Sequence, residues 1–129
     1  MEFNDFQPIY VQIMDYFKYK IIRGELKPNE KIPSVRDVSS VLKVNPNTVQ
    51  RSFQELKNEG IIYSQRGLGN FITSDEKILK ELNVVKGREI ISNFYNEIKS
   101  LGLNKEECFN LLEEEWQAHE QSNWNKRIK

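Results

Sequence analysis

The sequence predicts a mainly α fold that carries one small β-hairpin. Three observations lead there. Apolar residues recur at helical spacing through most of the chain, Pro and Gly punctuate the ends of those stretches, and only residues 61–73 switch to short β-favouring runs. The chain has 129 residues, 38% hydrophobic and 29% charged, with seven Phe, five Tyr and two Trp, enough to build one domain with a small appendage. That balance excludes a disordered or collagen-like chain. No apolar run exceeds three residues, so neither a membrane span nor a signal-peptide core is expected. With one cysteine, Cys108, and no secretory segment, the chain reads as cytoplasmic.

The elements follow in order. Pro8 suits the first turn of a helix, where its missing N–H costs nothing, and Ile9, Ile13, Phe17 and Ile21 then form an apolar stripe closed by Gly24. Residues 25–33 hold Pro28 and Pro33 among turn formers and read as a connector. Ser34 with Asp37 three positions on gives a capping-box pattern for a short helix whose inner face is Val35, Val38 and Leu42. Asn45 followed by Pro46 opens another helix, with Val49, Phe53 and Leu56 inward and Gly60 as its stop. A short helix, a tight turn and a second helix opening on polar residues make a helix-turn-helix signal. Ile61–Ser64 and Asn70–Thr73 then read as two strands joined by Gln65-Arg66-Gly67-Leu68-Gly69. A hairpin directly after a helix-turn-helix is a wing, so the expected organisation is a winged helix-turn-helix DNA-binding domain over 1–75.

The remainder, 76–129, is expected to be a two-helix segment. Leu79, Leu82, Ile91, Phe94, Ile98 and Leu101 keep helical spacing, although Gly87 leaves open a break in the first helix. Asn104 with Glu107 offers a second capping box, followed by Phe109, Leu112 and Trp116 on one face. Two helices cannot enclose a core alone. Ile91, Phe94, Ile98 and Leu101, with Phe109, Leu112 and Trp116, are therefore expected to form a dimerisation surface.

Net charge is zero, yet it is unevenly spread. Residues 31–73 carry six Lys/Arg against three Asp/Glu, and residues 74–129 carry nine against eleven. That asymmetry points weakly to a basic binding face. In a helix-turn-helix, the second helix presents its first residues to base edges in the major groove. Here those are Asn45, Asn47, Thr48, Gln50 and Arg51: Asn and Gln suit adenine, Arg suits guanine, and Thr suits a thymine methyl or a phosphate. Plain capping accounts for Asn45-Pro46 but not for the polar run from Asn47 to Arg51. Arg36 sits in the first turn of the preceding helix, where a cation opposes the helix dipole and is better explained by phosphate or a base. Arg66 beside Gly67 and Gly69 puts a cation on a loop whose backbone can approach DNA closely; an ordinary hairpin turn is the plainer account. Enzyme chemistry finds no support: His119 is the only histidine, and no Cys/His cluster has metal-ligand spacing, so neither a metal nor another cofactor is expected.

The blocks Ile32-Pro33-Ser34-Val35-Arg36-Asp37-Val38, Val44 to Arg51, Glu59-Gly60-Ile61-Ile62 and Arg66 to Ile72 resemble the GntR family of bacterial transcriptional regulators over residues 8–73. The Asn-Pro-Asn-Thr start and the short helical tail resemble its YtrA subfamily. The resemblance implies DNA contacts by Ser34 and Arg36, by Asn45, Pro46, Asn47 and Thr48, by Gln50 (often Arg in other branches), and at the wing by Arg66 and Gly67. It also implies a homodimer that represses its own operon, often linked to ABC-transporter genes; a symmetric pair would set two recognition helices in successive major grooves and so require an inverted-repeat operator in double-stranded DNA. It leaves room for a small-molecule effector, whose identity the sequence does not carry. A winged helix used purely for protein–protein contact is the alternative, and Arg36, Arg51 and Arg66 on the reading surfaces speak against it.

Overall fold

The computed structural model describes residues 1–128, with side chains described through Gln121. The elements are α1 (Ile9–Ile22), α2 (Val35–Leu42), α3 (Pro46–Asn58), β1 (Ile62–Gln65), β2 (Gly69–Ile72), α4 (Glu76–Ser100) and α5 (Lys105–Ile128). The mainly helical fold with a two-stranded antiparallel hairpin is the one the sequence predicts. Two compact units divide it, the first from Met1 to Lys86 and the second from Gly87 onward.

In the first unit, α1, α2 and α3 pack around one core, closed by the hairpin. Ile13 and Phe17 of α1 meet Val49, Phe53 and Leu56 of α3, with Ile32, Ile61, Ile62 and Ile72 completing it. Phe17 and Phe53 touch edge to face at 5.6 Å between centroids, a favoured aromatic geometry. Ser52 is the fully buried polar residue of this core: its hydroxyl reaches the carbonyls of Tyr10 (2.9 Å) and Thr48 (3.1 Å), which satisfies it and ties α3 to α1. The first turns of α4 belong to this unit. Leu82 is buried there, Ile78 and Leu79 pack on the core, and Lys86 pairs with Asp15 of α1 at 2.9 Å.

The connector from 25 to 33 does more than link α1 to α2. Asn29 N–H donates to the Ile72 carbonyl, Ile72 N–H to Glu30, and Ile32 N–H to Asn70, so residues 29–32 run along β2, with Lys31 bridged to Phe71 outside the two-stranded hairpin. Two prolines hid this pairing from a reading by propensity.

The second unit holds the later turns of α4 and α5. Gly87 does not break α4, which runs as one 25-residue helix; a single glycine costs only about 1 kcal/mol in a helix interior. The box at the start of α5 is reciprocal: Asn104 Oδ1 accepts from Glu107 N–H (2.8 Å), and Asn104 N–H donates to Glu107 Oε1 (3.3 Å). Ile91, Leu101 and Trp116 are 65, 71 and 63% exposed, and Phe94, Phe109 and Leu112 are exposed as well. Ile98 is half-buried. A groove of about 500 Å³ runs between the two helices, lined by Ile91, Phe94, Ile98, Leu103 and Phe109 among others.

Candidate nucleic-acid interface

The interface begins with the two caps. Ser34 Oγ accepts from Asp37 N–H at 3.1 Å, and Asn45 Oδ1 accepts from Asn47 N–H at 2.8 Å, with Pro46 as the first residue of α3. Both side chains therefore occupy orphan amides at helix starts. Between them the chain turns on Lys43, which holds φ at 56°. Ser39 Oγ donates to the Val44 carbonyl at 2.6 Å and braces the far side of that turn.

Helical periodicity sorts α3 into two faces. Val49, Ser52, Phe53 and Leu56 are buried, while Asn47, Gln50, Arg51, Gln54 and Asn58 lie exposed on the opposite side. Thr48 is half-buried at the border. Asn47 and Gln50 both present their side chains to solvent. Gln54, seven positions on from Asn47, shares their face by helical periodicity. Its amide donates to Asn58 Oδ1 at 3.2 Å.

Arg51 packs against α1. Its guanidinium carbon stands 3.8 Å from the centroid of the Tyr10 ring in α1. Arg36 is exposed in the first turn of α2.

The wing is built by register. Tyr63 faces Phe71, Ser64 faces Asn70 and Gln65 faces Gly69 across the hairpin. Tyr63 and Phe71 stack at 5.6 Å, and Tyr63 Oη donates to Asn29 Oδ1 at 2.8 Å. At the tip, Leu68 N–H closes a turn on the Gln65 carbonyl at 3.0 Å, with Gly67 at φ 78° and Gly69 at φ 119°. These angles are open to glycine and costly to other residues. Nothing lies within 4 Å of a side chain added at Gly67, so Arg66 rides on a bare, exposed tip. Lys31 joins it: its Cε would stand 3.0 Å from a Cβ on Gly69, which brings a second exposed cation to the wing. The pairing of residues 29–32 with β2 places it there, and its position in a proline-rich connector concealed it.

Among the described residues no helix is long and apolar enough to cross a membrane. The family model described as "Bacterial regulatory proteins, gntR family" matches residues 9–72. The chain is 43% identical over 106 residues to the HTH-type transcriptional regulator YhcF of Bacillus subtilis, covering 82% of this chain and 88% of the relative. It is 43% identical over 70 residues to the HTH-type transcriptional repressor YtrA of the same organism, 54% of either chain. A solved GntR family transcriptional regulator from Listeria monocytogenes superposes with a TM-score of 0.80 at 36% identity, covering 87% of this chain and 98% of that one. Such relatives are transcriptional regulators that bind DNA, and not enzymes.

Proposed function

Because the chain belongs to the GntR family of bacterial regulatory proteins, in its YtrA branch, we propose that it represses transcription as a homodimer on an inverted-repeat operator. The observation that carries this reading is the face of α3, where Asn47 and Gln50 stand exposed on a helix whose opposite side is locked into the core. Base edges in the major groove are what amide side chains in that position recognise. Arg36 and the wing cations Arg66 and Lys31 supply phosphate contacts, which fix register without reading sequence.

Residues 1–75 bind DNA and 76–129 dimerise, the first turns of α4 also packing on the core of the first unit. Ile91, Phe94, Ile98 and Leu101 of α4, with Phe109, Leu112 and Trp116 of α5, make an apolar surface too rich to face water alone. A two-fold pair would set its recognition helices in successive major grooves, roughly 34 Å apart. The setting is the cytoplasm, and transporter genes are the expected targets by kinship with the YtrA branch. A small-molecule effector would bind at the helical segment.

Selection of duplexes from a random pool, or a genomic footprint, tests the first half of this reading. An inverted repeat should emerge, and affinity should fall steeply with salt as phosphate contacts release counterions. Binding indifferent to salt overturns it. Sedimentation tests the second half: a protein monomeric at micromolar concentration that still binds one half-site tightly is not the dimer proposed.

A further inference from the structure

We propose that Tyr10 and Arg51 form a ready-made clamp for a DNA backbone phosphate at the α1 flank of the recognition helix. The proposal rests on the operator-binding reading above and gives Arg51 a role other than guanine recognition.

Position is the first ground. On α3 the exposed face centres on Asn47, Gln54 and Asn58; Arg51 lies at one edge of it, beside Ser52. Ser52 is the residue that bonds the Tyr10 carbonyl, so that edge is the one facing α1. What separates Arg51 from Gln50 is the contact with Tyr10, which draws the guanidinium toward α1, the side on which a helix seated in a groove meets the phosphate wall.

Geometry is the second ground. At 3.8 Å from the ring centroid, the guanidinium is in contact with the face of Tyr10. Stacking uses one face of the cation and leaves its five N–H donors in the plane, where they match two phosphate oxygens. Among the described residues Arg51 has neither a carboxylate nor a hydrogen-bond partner, and it is exposed. Its charge is held in place and unspent.

Rigidity is the third. Tyr10 is half-buried against the core, and the buried Ser52 hydroxyl fixes the height of α1 on α3 at this point. The arginine thus loses little rotamer freedom on binding, which is what makes a preorganised contact stronger than a floppy one.

The test uses the full chain, the duplex selected above and a scrambled duplex of equal length. Arg51→Ala, an exposed change, should weaken both duplexes alike, on the order of tenfold, and lower the salt slope by about one. Arg51→Lys should keep the slope but lose part of the affinity, because an ammonium cannot offer the planar fork. Tyr10→Leu, which keeps bulk but no ring, should weaken both duplexes several-fold at unchanged slope, and Tyr10→Phe, which restores the ring, should recover most of that loss. Loss confined to the selected duplex on Arg51→Ala overturns the clamp in favour of base readout. An unchanged slope in that variant, or wild-type binding by Tyr10→Leu, overturns it too. If wild type itself prefers neither duplex, it is the operator reading that fails.

Discussion

Asn45 and Asn47 are the same residue two positions apart, and the structure gives them opposite work. Asn45 Oδ1 holds the Asn47 N–H at 2.8 Å, whereas the Asn47 side chain projects from the exposed face of α3. Asn45→Ala removes an N-cap, which costs about 1 kcal/mol. The freed amide is exposed, so water satisfies it and the loss stays nearer 1 than 2. In a unit of this size, 1 kcal/mol lowers the melting temperature by roughly 4–8 °C. Asn47→Ala should leave the melt unchanged, since the backbone N–H that the cap uses survives the substitution. Its cost should appear in binding instead: a bidentate contact to adenine is worth about 1–3 kcal/mol, or roughly 5- to 150-fold, on the operator alone. Far-ultraviolet circular dichroism gives the melts, and competition between operator and scrambled duplex gives the ratio. If Asn47→Ala destabilises as much as Asn45→Ala, or weakens both duplexes equally, the division between frame and readout is wrong.

Three further outcomes are expected. Phe53→Ala empties a fully buried site and loses the edge-to-face contact with Phe17, which should cost about 3–5 kcal/mol in urea denaturation; circular dichroism is the probe, because both tryptophans lie outside the first unit. Gly67→Val puts a β-branched residue at φ 78° and should distort the wing tip, weakening operator and scrambled duplex together while the melt shifts by no more than about 1–2 kcal/mol. Lys43→Gly relieves a left-handed residue at φ 56° in the helix-turn-helix turn, where the conformational relief and the greater freedom of the unfolded chain nearly cancel; a melt within about 1 kcal/mol of wild type checks it.

The order and type of the elements could be read from residues alone because each signal is local. A proline at a helix start, an asparagine cap, an apolar residue every third or fourth position and two glycines in a hairpin tip act within a turn or two of chain. The exposed face of α3 was readable for the same reason, since Val49, Phe53 and Leu56 point inward and so fix by periodicity where Asn47 and Gln50 must point. Gly87 could not be read that way, because its helix cost is small and the turns on either side decide whether it is borne. The pairing of residues 29–32 with β2, the wing position of Lys31 and the stacking of Arg51 on Tyr10 were beyond local signals altogether. Tyr10 and Ser52 are 42 residues apart, and the bond between them exists only once α1 and α3 have packed. Local propensity settles which segments become helix or strand; which side chains then become neighbours is settled by burial of the shared core, a property of the whole unit and not of any one stretch of it.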